Sequence, residues 1–104
     1  MTAIAERMPK VEQSIERAVQ AVKADAGASP VLVAVVKELE KKLGKARTVI
    51  NGGDAAKVRE AVVEVEQAAD SAKAAAEADS GVKEETRAAV IAAHDRICLL
   101  KAGM

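Results

Sequence analysis

The sequence predicts an all-α fold, namely an antiparallel up-down-up-down four-helix bundle that is rich in alanine and valine and has no sheet. Apolar residues recur at alternating spacings of three and four, which marks one face of an α-helix. Three short breaks divide the chain into four segments of similar length, and such short connections make successive helices antiparallel. Half of the residues are apolar but none is Phe, Tyr or Trp, so the core must be thin and closely packed.

We expect residues 1–104 to form a single helical-bundle domain, because a chain of this length is near the commonest domain size. The main alternative is a pair of helical hairpins that completes its core only when two chains associate.

The first helix is predicted over about residues 3–26. Its apolar stripe consists of Ile4, Met8, Val11, Ile15, Ala18 and Val22. Pro9 lies within this stripe, and proline lacks the amide hydrogen that a helix interior requires. Residues 2–8 are therefore either an irregular turn or a kinked extension of the helix.

The second helix is predicted over about residues 30–50, after a break with the sequence Gly-Ala-Ser-Pro. We expect Gly27 to close the first helix, Ser29 to cap the second and Pro30 to occupy its first turn. The apolar stripe consists of Leu32, Val36, Leu39, Leu43, Ala46 and Ile50. Residues 31–36 also resemble a short buried strand. The helix is favoured because the helical spacing continues beyond them and no partner strand is evident.

The third and fourth helices are predicted over about residues 54–79 and 82–101. Asp54 is the expected cap of the third helix, and Ser80 is a candidate cap of the fourth. Glu84 and Glu85 suit the positive end of the fourth helix dipole. The stripes consist of Val58, Val62, Val65, Ala69, Ala72 and Ala76, and of Thr86, Val90, Ala93, Ile97 and Leu100.

Composition excludes several classes of function. Sixteen basic and sixteen acidic residues cancel, so no overall charge draws the chain to nucleic acid or to an anionic membrane. The longest apolar run is far shorter than a membrane span, and charges interrupt the N-terminal region where a signal peptide needs an apolar stretch. A single Cys fits a reducing compartment. We therefore expect a cytoplasmic protein with no nucleic-acid, membrane or small-molecule partner.

Charge is distributed unevenly along the chain. Residues 37–53 carry five basic and two acidic side chains, whereas residues 54–85 carry nine acidic and four basic ones. Because the second and third helices are predicted neighbours, we expect the basic face of one to pair with the acidic face of the other. The residues concerned are Lys41, Lys42, Lys45 and Arg47 on the second helix and Glu60, Glu64, Glu66 and Asp70 on the third.

His94 is the one candidate for a general base or a phosphate acceptor. The segment 93–103 resembles the phosphoacceptor helix of histidine-phosphotransfer domains and dimerising kinase helices, which are also four-helix bundles. That resemblance implies a signalling role in which the His94 imidazole carries the phosphoryl group. In this chain, however, His94 lies late in the last helix. Asp95 follows it directly and is expected to point away from the imidazole.

The sequence predicts no enzyme, no cofactor and no metal site. Cys98 lies one turn after His94, but the negative end of the helix dipole disfavours a thiolate there, and a free Cys among Ile97, Leu99 and Leu100 is more often a small core residue. One His and one Cys do not complete a closed zinc site.

The leading functional hypothesis is a non-enzymatic bundle that acts through protein–protein contacts with a partner protein or a second copy. Val33 and Val63 are apolar residues on faces that the pattern assigns to solvent, and residues 97–100 form a turn that is apolar almost all round. The predicted interaction surface consists of Val33, Val63, Ile97, Leu99 and Leu100. The alternative function is phosphotransfer through His94.

Overall fold

The computed structural model describes residues 4–104, except for the side chain of Ala5, and shows four α-helices. They are α1 (Ile4–Ala24), α2 (Pro30–Gly52), α3 (Ala55–Ala78) and α4 (Glu84–Ala102). Each helix packs on its neighbours in the chain, and α1 also packs on α4, which closes the ring. The described residues contain no strand. The predicted up-down four-helix bundle is confirmed, and it measures 41 × 19 × 18 Å.

Helix α1 is regular from Ile4 and passes through Pro9 without a break. Of the two interpretations of residues 2–8, the structure shows the helical one for residues 4–8, while residues 2 and 3 lie outside the described part. The side chain of Pro9 is exposed, so the ring occupies the solvent face of the helix.

The predicted stripes form the core. All the residues of the third and fourth stripes are buried, and in the first two only Ile4 and Ile50, near the helix ends, are partly exposed. Ile15, Leu39 and Ile97 are fully buried, and so are Ala69 and Ala72. The core therefore combines large aliphatic side chains with alanine, which lets the helices approach closely without an aromatic residue.

Two of the predicted helix caps are present. The Ser29 hydroxyl accepts a hydrogen bond from the Leu32 amide at 3.2 Å, and the Asp54 carboxylate accepts one from the Lys57 amide at 3.1 Å. The turn between α2 and α3 is closed by Gly53, whose φ of 77° lies in the left-handed region that favours glycine.

The predictions for Gly27 and Ser80 are wrong, because two carboxylates organise that end of the bundle. The Asp25 carboxylate accepts from the Lys83 amide at 2.9 Å, and the Asp79 carboxylate accepts from the Ser29 amide at 2.8 Å. Asp25 thus holds Lys83, the N-cap residue of α4, which makes no side-chain cap hydrogen bond of its own. The first helical hairpin consists of α1 and α2 and the second of α3 and α4. Each hairpin supplies a carboxylate that holds the start of the other hairpin's second helix.

Glycine at position 27 serves a close approach rather than a helix end. A Cβ atom built on Gly27 would collide with the carbonyl oxygen of Gly81, and one built on Gly81 would lie 2.6 Å from the Gly27 oxygen. Only a residue without a side chain lets the two connecting turns touch through their backbones.

The two hairpins match one another at an offset of 54 residues. Asp25 and Gly27 correspond to Asp79 and Gly81, and the tripeptide Val-Glu-Gln at residues 11–13 recurs at residues 65–67. The ion pair between Arg47 and Glu12, at 2.8 Å, recurs as Lys101 with Glu66 at 2.7 Å. The bundle is therefore an approximate two-fold repeat of one helical hairpin.

The predicted ion pairing between the basic face of α2 and the acidic face of α3 is present for some of the predicted residues. Lys42 and Lys45 contact the carboxylate of Glu64 at 2.9 and 3.4 Å, and Lys42 lowers the pKa of that carboxyl. Arg47 instead pairs with Glu12 on α1. Glu66 and Asp70 turn towards α4, where they contact Lys101 and His94.

Candidate functional site

His94 lies between two carboxylates on the face shared by α3 and α4. Its Nε2 atom is 2.8 Å from an oxygen of Asp70 on α3, and its Nδ1 atom is 3.2 Å from an oxygen of Asp95. The side chain of His94 is only 15% exposed. The expectation that Asp95 points away from the imidazole is therefore wrong, because the neighbouring side chain folds back over the ring.

Each nitrogen of the His94 imidazole contacts a carboxylate oxygen. A neutral imidazole carries a single N–H, so one of its nitrogens then directs a lone pair at a carboxylate oxygen. A nitrogen lone pair and a carboxylate oxygen are both donor atoms that a metal ion accepts. The arrangement at His94 therefore offers two adjacent donors to a metal ion.

The thiol of Cys98 completes this cluster. Its Sγ atom lies 3.6 Å from Nε2 and 4.0 Å from Nδ1 of His94, because residues four apart share one face of a helix. Burial raises the pKa of the Cys98 thiol, and the negative charges of Glu66, Asp70 and Asp95 raise it further. The free thiol therefore stays protonated near neutral pH and is a poor nucleophile.

The donor atoms of Asp70, His94 and Cys98 all lie within 4.8 Å of one another. The prediction of no metal site considered one His and one Cys, whereas the structure adds a carboxylate from the neighbouring helix. The positions of Asp70 and His94 in the sequence indicate that their side chains come together. In an antiparallel pair whose turn is centred on residue 81, residues whose numbers add up to about 162 lie nearly level, and the numbers of Asp70 and His94 come close to this sum.

The same surroundings count against phosphotransfer through His94. A phosphoryl group is an anion, and at Nε2 it would replace the contact with Asp70 on a ring whose other nitrogen contacts Asp95. Both ring nitrogens are already in contact with carboxylates, and little of the side chain is exposed. Phosphoacceptor chemistry needs an accessible nitrogen without such competition.

The predicted interaction surface does not form one patch. Ile97 is fully buried and Leu100 is 3% exposed, so both belong to the core and their assignment to the surface is corrected. The physical reason is the helical rotation, which turns Leu99 outward, with 61% of its surface exposed, while its neighbours face the bundle axis. Val33 and Val63 are half-buried.

A shallow groove runs between the start of α1 and the end of α4, beside Leu99. The guanidinium of Arg7 donates a hydrogen bond to the Leu99 carbonyl at 3.1 Å and forms one side of the groove. Its lining consists of Glu6, Arg7, Lys10, Val11, Arg96, Leu99 and Leu100. Three cationic side chains and one carboxylate thus surround an exposed aliphatic side chain.

Val31 is an exposed apolar residue that the predicted surface did not include. It is 65% exposed at the first turn of α2. Because α2 begins at the end of the bundle opposite to that where α4 stops, Val31 and Leu99 lie at opposite ends of a molecule 41 Å long. They cannot belong to one compact contact surface on a single chain.

Comparison with known proteins adds no functional assignment. No protein-family model matches the chain, and searches of curated proteins and of solved structures give no significant match. Within the described residues, no helix combines the length and apolar character that crossing a membrane requires.

Proposed function

We propose that this chain is a non-enzymatic helical-bundle protein that acts by contact with another protein, and that the groove between α1 and α4 binds an acidic segment carrying an aliphatic side chain. The observation that carries this proposal is Leu99, which is 61% exposed and is flanked by Arg7, Lys10 and Arg96. The single free thiol supports a reducing, cytoplasmic setting for the contact.

The charge of the groove indicates the chemistry of the partner. Among the described residues, none of Arg7, Lys10 and Arg96 takes part in an ion pair, whereas basic side chains along α2 do. Charges arranged around an exposed apolar side chain attract an oppositely charged partner and set its orientation. Burial of Leu99 supplies the hydrophobic contribution, and removal of its side chain should weaken binding by at least about tenfold.

A random peptide library displayed on phage tests the proposal directly. We expect selection on the purified chain to enrich peptides that carry Asp or Glu around a Leu, Ile or Val. Leu99→Ser and Arg96→Glu should each lose these peptides, while Val31→Ser, which alters the exposed apolar residue at the other end, should retain them. Enrichment of basic peptides, or equal binding to the Leu99→Ser variant, would contradict the proposed groove.

The alternative role of Leu99 is a contact between two copies of the chain, which a separate experiment tests. Analytical ultracentrifugation at micromolar concentration should show a monomer whose mass does not change with concentration. If the chain is instead a dimer that Leu99→Lys or Val33→Lys converts to a monomer while helicity is retained, the contact is between copies and the acidic partner is ruled out. A charge at a buried contact is costly, which makes these substitutions sensitive.

A further inference from the structure

We propose that Asp70, His94 and Cys98 form a binding site for one Zn²⁺ ion that links α3 to α4. The proposal is independent of the Leu99 groove. It depends on three different donor types that two helices bring within 4.8 Å of one another. A thiolate, an imidazole and a carboxylate together form a ligand set that zinc accepts, with a water molecule as the fourth ligand.

The distances fit this ion after a small adjustment. Tetrahedral zinc, with Zn–N of about 2.0 Å and Zn–S of about 2.3 Å, places N and S ligand atoms roughly 3.5 Å apart. The Sγ atom of Cys98 already lies 3.6 Å from Nε2 of His94. The contact between Nε2 and Asp70 must lengthen from 2.8 Å, and Asp70 can move because its side chain is 58% exposed.

The surroundings also suit a cation. Asp95 contacts Nδ1 of His94 and so holds the imidazole with Nε2 directed at Asp70 and Cys98, as the outer carboxylate does in many zinc sites. Glu66 lies close to the thiol, and its only ion-pair partner within the described residues is Lys101. Zinc binding releases the thiol proton and leaves a thiolate that the metal neutralises.

The first hairpin offers an internal comparison for this site. At the positions that correspond to Asp70, His94 and Cys98 through the 54-residue offset, the chain carries Glu16, Glu40 and Gly44. The nitrogen and sulfur donors are thus present on one half of the repeat only. A face that served the fold alone would need neither of them, because the first hairpin packs without them.

The test uses the full chain, free of any affinity tag, reduced with a phosphine and cleared of metal by a chelator. Competition between the protein and a chromophoric chelator for Zn²⁺ should give one ion per chain. Co²⁺ in place of Zn²⁺ should give the sulfur-to-metal charge-transfer band and the intense visible bands of a tetrahedral thiolate site. The melting temperature should rise with zinc concentration, because the ion binds only the folded chain.

Substitutions identify the ligands. Cys98→Ala and His94→Gln should weaken zinc binding by more than the roughly 10–100-fold expected for Asp95→Asn, which removes only the outer carboxylate. Asp70→Asn should weaken it, whereas Glu77→Gln, an exposed carboxylate of the same helix, should leave it unchanged. Circular dichroism confirms that each variant remains helical.

Three results would overturn the proposal. One is the absence of the charge-transfer band in the reduced wild-type chain with Co²⁺. Another is zinc affinity that Cys98→Ala and His94→Gln leave intact. The last is one ion per two chains with a doubled mass, which would assign the metal to a contact between copies.

Discussion

At the scale of single residues, the carboxylates of Asp25 and Asp79 organise the helix ends for which the sequence predicted roles for Gly27 and Ser80. Asp25 is 7% exposed and accepts hydrogen bonds from the amides of Lys83 and Gly27. These amides belong to different hairpins, so one side chain fixes both a turn and a helix start. Sequence patterns near the start of α4 could not reveal this role of Asp25, because the carboxylate that accepts from the Lys83 amide lies 58 positions away in the chain.

The carboxylates of Asp25 and Asp79 should make folding stability depend on acid pH. The amides of Lys83 and Ser29 are the largest causes that lower the pKa values of Asp25 and Asp79, respectively. A depressed pKa in the folded state stabilises the fold above the unfolded-state value of about 3.9, and the contribution is lost as the pH falls through the folded pKa.

Urea unfolding at pH 7 and pH 3 measures this effect. Asp25→Asn should lower the unfolding midpoint at pH 7 and reduce the difference between the two pH values, relative to the parent chain. Glu77→Gln, on the exposed face of α3, is the control. An Asp25→Asn variant with the parent's full pH dependence would show that the carboxylate caps do not carry it.

At the scale of helices, apolar spacing and capping residues were sufficient to predict the architecture. The predicted bounds lie within two residues of the observed ones, since Ser29, Pro30 and Asp54 mark helix starts that local chemistry determines. The exposure of Leu99 beside the buried Leu100 was missed, because a turn that is apolar almost all round does not show which side faces the axis. The neighbours of His94 depend on the register between α3 and α4, which spacing within one helix does not contain.

The alanine-lined half of α3 should resist added volume. Ala72 is fully buried where α3 packs against the other helices, so Ala72→Leu should destabilise the fold by about 1–3 kcal/mol through overpacking. Ala74→Leu on the exposed face of the same helix is the matched control, because it changes the helix propensity by the same amount without adding volume to the core. Chemical unfolding followed by circular dichroism compares the two, and equal midpoints would mean that this end of the bundle is loosely packed.

At the scale of the whole molecule, the 54-residue repeat relates each position in one hairpin to an equivalent position in the other. Both hairpins carry the Asp-x-Gly turn and the same cross-helix ion pair, although their core residues differ in size. A large core side chain in one hairpin corresponds to alanine in the other at some positions, as the fully buried Ile15 and Ala69 illustrate. The tripeptide at residues 11–13 and 65–67 shows the repeat in the sequence. The hydrogen bonds by which each hairpin holds the other are visible only in the folded chain.

The repeat therefore predicts how to build a second zinc site. Glu40→His with Gly44→Cys places an imidazole and a thiol beside Glu16, in the geometry that His94 and Cys98 have beside Asp70. A Cβ atom at position 44 meets no atom within 4 Å, so the backbone there accepts a side chain. Lys41 stands where the second hairpin has Asp95, and without that outer carboxylate the new site should bind about 10–100-fold more weakly than the native one.

Zinc titration of the double variant should show a second, weaker equivalent. Addition of Lys41→Asp should then strengthen that equivalent while leaving the first unchanged. Gly44→Cys alone is the control, because it adds the thiol without the imidazole and should bind one ion as the parent chain does. The contradicting result is a triple variant that keeps its helicity and still binds a single ion. In that case the two hairpins are equivalent in backbone only. The geometry of the cluster at His94 then depends on side chains that the first hairpin lacks.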